Sequence, residues 1–211
     1  MDQQEKTKLS AFVLQDICRT SGRRYVPAAV SNRHIHLCRE DLETLFGKDY
    51  RLSPLKPLVQ PGQYAAKETV TIEGPKGSIE NVRVLGPVRK NTQVEISFTD
   101  SYKLGLLPPI RNSGEIKSTP GCRIVSAFGN VALERGVILS ARHLHISPEQ
   151  AEAFHVKDNQ VVRLKMDGVR ALIFENVLVR CGTEHFLEFH LDTDEANAAG
   201  IRNGDLLELL L

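Results

Sequence analysis

Apolar and polar residues alternate with a period of two along most of this chain, in short runs cut by Gly, Pro and Asn, which is the pattern of half-buried strands. Residues 26–35, 68–72, 79–85, 93–98, 123–127 and 131–139 carry it in the first part of the chain, and 160–166, 169–179, 186–191 and 205–210 in the second. Helical spacing is scarcer. Leu9, Phe12, Val13, Leu14 and Ile17 share a face of an amphipathic helix expected over 8–20, and Ser21-Gly22 ends it. Short helices are expected at 40–46, 148–154 and 192–199. Ser147 as N-cap and Pro148 in the first turn mark the start of the second, and Gly200 closes the third. Many short strands and few short helices predict a mainly β fold of small β-barrels capped by helices.

One phrase occurs twice. Ser31-Asn32-Arg33-His34-Ile35-His36-Leu37 returns 109 residues later as Ser140-Ala141-Arg142-His143-Leu144-His145-Ile146, and the two copies hold four of the seven histidines. Residues two apart in a strand point to one face about 6.5–7 Å from each other, so each His-x-His offers two imidazoles to one ion. The likeness runs further. With Glu95 set against His190, Ile96 meets Leu191, Thr99-Asp100 meets Asp194-Glu195, and Gly105-Leu106 meets Gly200-Ile201, at an offset of 95.

The chain therefore reads as an internal duplication, with a His-x-His strand and a later third ligand in each half. The expected metal ligands are His34, His36 and Glu95 in one half, and His143, His145 and His190 in the other. Three protein ligands leave a fourth position open, as in catalytic zinc sites. Nitrogen and carboxylate donors suit Zn²⁺, with another divalent first-row metal as the alternative.

Arg89 stands just before the strand that bears Glu95, where a guanidinium can hold an anion beside the ion. The turn Pro109-Ile110-Arg111-Asn112-Ser113-Gly114 is a candidate for presenting backbone N–H groups to phosphate. Cys38 is expected to open the helix after the first His-x-His. His155 and His185 have no partner in the repeat and are expected to be structural or exposed. The chain contains no G-x-x-x-x-G-K-[ST] loop, no G-x-G-x-x-G loop and no G-x-S-x-G elbow, so covalent catalysis has no obvious nucleophile.

Bulk properties narrow the partners. Lys and Arg total 27 against 26 Asp and Glu, so nothing advertises nucleic acid as a partner. No apolar run reaches the roughly 18 residues a membrane helix needs, so no membrane is expected. The four cysteines lack paired spacing, which fits reduced thiols and a cytoplasmic location. A length of 211 residues suits two small domains.

The strings VSNRHIHL, GPVRKNTQVEIS, IRNSGEIKSTPG, LSARHLHISPEQA and FHLDTDEANAAGI resemble the phosphate propanoyltransferases, the PduL-type phosphotransacylases, over residues 25–211. The resemblance implies a zinc-dependent phosphate acyltransferase that interconverts a short-chain acyl-CoA plus phosphate with acyl phosphate plus CoA. Phosphate would attack the thioester directly at a two-zinc site, at the junction of two β-barrel domains. One zinc falls on His34, His36 and Glu95 and the other on His143, His145 and His190, with coenzyme A as substrate. Arg89 becomes the catalytic, phosphate-holding arginine, and Ser31, Lys56, Arg83 and Asn197 match positions that bind coenzyme A.

The resemblance also implies an N-terminal amphipathic extension at 1–21, a first β-barrel domain at 33–140, and a second built from 22–32 plus 141–211. The extension is similar to the helices that carry cargo into bacterial microcompartments. That implies cargo or shell proteins as partners and a microcompartment interior as one location, and a homo-oligomer is a further expectation. Ala28-Ala29 and Cys38 depart from the family's usual residues without removing a ligand. Two other readings remain. A duplicated metal-binding cupin would use Glu40 and Glu149 as ligands, and a non-enzymatic, metal-stabilised shell adaptor would dock through the N-terminal helix.

Overall fold

The computed structural model describes residues 3–211. In chain order the elements are α1 (Gln3–Ser21), β1 (Tyr25–Ser31), β2 (His34–His36), α2 (Arg39–Phe46), β3 (Pro54–Pro57), β4 (Tyr64–Glu73), β5 (Ser78–Gly86), β6 (Gln93–Ile96), α3 (Phe98–Leu104) and β7 (Ile110–Arg111). There follow β8 (Cys122–Val125), β9 (Asn130–Leu133), β10 (Val137–Ser140), β11 (His143–Ile146), α4 (Pro148–Phe154), β12 (Val161–Met166), β13 (Leu172–Cys181), β14 (Glu188–Asp192), α5 (Thr193–Ala199) and β15 (Leu206–Leu210). They form two compact units. Unit 1 takes the chain through Ser31, then Val59–Pro61 and Ala141–Leu211, and unit 2 takes Asn32–Leu58 and Gly62–Ser140.

Unit 1 is a closed barrel, in the order β1-β14-β11-β13-β12-β15. Alternate residues of its strands point inward, so Val26, Leu144, Ile146, Leu164, Phe174, Phe189 and Leu207 fill one core. Unit 2 is a curled nine-stranded sheet in the order β7-β10-β6-β2-β5-β4-β8-β9, with β3 on β4. Its core is Ile35, Leu37, Leu42, Leu45, Ile72, Val84, Val94 and Ile124. The protein is mainly β with short helices, as its alternation predicts.

The duplication is written in the strand pairing. In unit 2, β2 lies between antiparallel β6 and parallel β5, with β10 parallel to β6 and β4 antiparallel to β5. In unit 1, β11 lies between antiparallel β14 and parallel β13, with β1 parallel to β14 and β12 antiparallel to β13. Each His-x-His strand is thus central in its sheet, flanked on both edges, and its side chains are sheltered from water.

Helices α3, α4 and α5 each open with a capping box: Ser97 with Asp100, Ser147 with Gln150, and Asp192 with Glu195. Helix α3 is absent from the alternation reading. The Ser97-x-x-Asp100 start signal is present, but the apolar period over 93–98 reads through it. Helix α2 starts at Cys38, which makes no side-chain capping bond. Ser147→Ala is expected to destabilise unit 1 by about 1 kcal/mol, since it frees the Gln150 N–H, and urea denaturation measures it.

Other boundaries shift for local reasons. The run 26–35 breaks at Asn32-Arg33, and 131–139 breaks at Gly136, whose φ of 128° needs a residue without Cβ. Strand β3 escapes a pattern search because two of its four residues are proline. Helix α1 is longer than the expected 8–20. It packs Leu14, Ile17 and Cys18 on unit 1, where the Cys18 thiol donates to the Ala153 carbonyl at 3.5 Å, while Phe12 and Val13 face solvent. Leu9, expected on the same face, lies outside the described side chains. No helix among the described residues is long and apolar enough to cross a membrane.

Candidate metal centre

Register brings the unit 2 donors together. Across β2 and β6, His34 lies opposite Glu95 and His36 opposite Gln93, so all four side chains share one face. His34, His36 and Glu95 are buried, and among the described residues they are the one set of three whose donor atoms all lie within 4.8 Å of one another. His34 Nε2 stands 3.6 Å from Glu95 Oε2. The Nδ1–H of His34 donates to the Asn32 carbonyl at 2.8 Å, which fixes the ring and aims Nε2 into the cluster.

Gln93 and Ser113 hold Glu95. Gln93 Nε2 donates to Glu95 Oε1 at 2.6 Å and to Ser113 Oγ at 2.8 Å, while the Ser113 hydroxyl donates to Glu95 Oε1 at 2.8 Å. The Gly114 N–H fixes Gln93 through its Oε1 at 2.7 Å, and Arg89 Nη1 donates to Ser113 Oγ at 3.0 Å. Ser113 therefore joins Arg89 to Glu95. The Pro109 to Gly114 turn braces the carboxylate, and its Gly114 N–H is engaged by Gln93 rather than held out to phosphate. Gln93 was legible in principle, since it is two residues before Glu95 on the same strand face.

The electrostatics suit a cation. Burial, then the neighbouring His34 and Arg89 charges, pushes His36 down to about 3, so its ring is neutral at neutral pH and has a lone pair to offer a cation. Burial works to raise Glu95, but His34, together with His36 and the Ser113 hydroxyl, outweighs it and holds the carboxyl well below the usual range. Burial works to lower His34, and the Glu95 carboxylate outweighs it in turn. Two nitrogens and an ionised carboxylate within 4.8 Å of one another fit a divalent first-row ion.

Unit 1 repeats the ladder with its chemistry exchanged. Across β11 and β14, His143 lies opposite His190 and His145 opposite Glu188. His143 Nε2 and His145 Nε2 face each other at 3.1 Å, and the Nδ1–H of His143 donates to the Ala141 carbonyl at 2.8 Å. The His190 ring stacks on His143 at 5.0 Å between centroids. Its Nε2 meets Glu188 Oε2 at 2.8 Å, and Gln60 Nε2 donates to the same oxygen at 3.1 Å. Burial, then His190 and His143, pushes the His145 pKa far down, and its buried Nδ1 has no partner.

In unit 2 the ladder position opposite the first His is a carboxylate supported by an amide two residues earlier. In unit 1 it is an imidazole supported by a carboxylate. Glu188 has no place in the sequence reading, although the same i−2 offset that yields Gln93 yields it. His185 is half-buried with its ring edge-on to His145, centroids 4.3 Å apart, while His155 is the exposed left-handed cap of α4.

Arg89 is half-buried beside the first cluster. Ser31 ends β1, and Lys56 is exposed on β3. Arg83 lies opposite His34 on β5 and donates to the Ala66 and Lys67 carbonyls at 3.0 and 2.8 Å. Asn197 is exposed on α5. Glu40 and Glu149, the ligands of the cupin reading, are exposed in the first turns of α2 and α4 rather than on a strand.

Both halves of the duplicated β chain carry imidazole and carboxylate on paired strands, on the face opposite the core residues Ile35 and Leu144, and Arg89 stands beside the unit 2 set. A model of the phosphate propanoyltransferase family matches residues 27–202. The chain belongs to this family of phosphotransacylase enzymes. It is 59% identical to the phosphate propanoyltransferase of Thermotoga maritima over 86% of this chain and 87% of that one. It is 50% identical to that of Salmonella typhimurium over 86% of each, and 45% identical to that of Clostridioides difficile over 96% and 97%.

Proposed function

We propose that this chain transfers a short acyl group, propanoyl among them, between coenzyme A and inorganic phosphate, with two zinc ions as resident metals. The observation that carries the reading is the chain from Arg89 through Ser113 to Glu95, beside His34 and His36. It sets an anion-binding guanidinium next to a donor set suited to a dication. His34, His36 and Glu95 would hold one ion and His143, His145 and His190 the other. Zinc bound there supplies Lewis-acid stabilisation of negative charge on the thioester oxygen or the departing sulfur.

The protein's own groups do the rest. Arg89 takes phosphate in fork geometry and directs one oxygen at the thioester carbonyl. The C–S bond breaks, a C–O bond to phosphate forms, and coenzyme A leaves as thiolate. Ser113 fixes Arg89 and Glu95 together, which keeps the nucleophile and the ligand set in register. Ser31, Lys56, Arg83 and Asn197 are the proposed coenzyme A contacts. In ³¹P NMR, propanoyl-CoA and phosphate are expected to give an acyl phosphate resonance with this enzyme. Thioester loss without that resonance would mean hydrolysis and would overturn the reading.

Glu188 is the proposed support of His190. A carboxylate behind a ligating histidine fixes its ring and raises its basicity, and losing such a partner typically costs about 10–100-fold in metal affinity. Glu188→Gln is expected to weaken zinc at the unit 1 site by that factor, in competition with a chromogenic chelator, with the circular dichroism spectrum unchanged.

A further inference from the structure

Away from the ligand sets, unit 2 carries an open cavity of about 680 Å³ whose lining includes Asn91, Arg111, Glu115, Ile116, Lys117 and Arg135. Strand β7 with the segment after it, the turn before β6 and the turn between β9 and β10 build it. Arg111, Lys117 and Arg135 make no ion pair among the described residues, and Arg111 Nη1 donates only to the Ile110 carbonyl, at 2.9 Å. The one acid, Glu115, accepts from Asn112 Nδ2 at 3.2 Å. Three cations against one carboxylate leave the lining with a net charge of two positives. Unpaired like charges gathered in one concavity repel each other, and an anion of two or more charges relieves them.

We propose that this cavity is a second anion site, taking a compact small molecule that carries two or more phosphate charges. The lining has no aromatic ring, so no nucleoside base finds a stacking platform there, and the charges are the recognition. The adenosine end of coenzyme A is therefore a poor occupant, and a diphosphate or a bisphosphorylated metabolite a good one. The location has a consequence for the metal centre. Gly114, in the lining, gives its N–H to Gln93, and Ser113 beside it braces Glu95 and Arg89. An occupant that draws Arg111 and Lys117 inward acts on the loop that holds both groups.

Titration calorimetry of the metal-loaded full chain with inorganic pyrophosphate tests the site without relying on the transfer reaction. Wild-type protein is expected to bind saturably, and Lys117→Ala with Arg135→Ala is expected to raise Kd about a hundredfold, some tenfold per lost charged contact. Both side chains are exposed, so the fold tolerates the change. Arg89→Ala is expected to leave the affinity unchanged. Absence of binding to wild type overturns the proposal. So does an affinity that survives the double substitution, which would place pyrophosphate on bound metal or on Arg89.

Discussion

Arg89→Ala is expected to lower kcat/KM for phosphate by about 10³-fold while leaving the metal content unchanged. The guanidinium is held at 3.0 Å on Ser113, which itself is bonded to Glu95, so it is fixed rather than swinging in solvent. A fixed fork meets two phosphate oxygens at once and loses little entropy in doing so, and a small side chain there offers neither charge nor geometry. Arg89→Lys keeps the charge without the fork, so partial recovery of activity is expected. Metal analysis separates this role from a structural one, because Arg89 is not a ligand. Loss of metal together with activity would show that Arg89 holds the cluster rather than the substrate.

Glu95→Gln is expected to empty the unit 2 site, leave the unit 1 site loaded and reduce turnover by more than the roughly hundredfold typical of supporting residues. The substitution keeps the shape of the side chain but removes the charge that His34 and a dication both require. It also places an amide against the Gln93 amide, where Nε2 donates at 2.6 Å in the native protein, so a buried donor is left facing a poorer acceptor. Metal-to-protein ratios from plasma emission spectroscopy give the readout. One ion per chain in Glu95→Gln and in His36→Ala, against two in wild type, is the expected result. An unchanged ratio would show that these side chains do not hold the ion.

Much of the centre is legible before any coordinate is known because strand chemistry is strongly periodic. His34 and His36 must share a face if the segment is a strand, and the repeat then points to Glu95 and His190 as equivalent positions. The ladder sets Glu95 opposite His34 and His190 opposite His143, as that alignment requires. What escaped lies in contacts between distant segments. Ser113 reaches Glu95 from a loop 18 residues on, and Gln60 reaches Glu188 from 128 residues away, neither with any periodic signal. Helix α3 escaped for a different reason, since its capping box is local but its apolar residues continue the alternation of β6.

Exchange of roles between the two ladders explains why the halves are alike in pairing and unlike in charge. Gln93 supports a carboxylate in one, and Glu188 supports an imidazole in the other. The unit 2 set is the one that carries an ionised carboxylate with an arginine beside it, so activity is expected to be more sensitive there to changes in phosphate handling.

Free-thiol release from propanoyl-CoA in phosphate buffer, before and after removal of metal by a chelator and again after zinc is restored, measures metal-dependent transfer to phosphate directly. Phosphate-dependent release that vanishes on chelation and returns with zinc is the predicted result. Release that persists at full rate in metal-free protein, or that proceeds equally without phosphate, would contradict it.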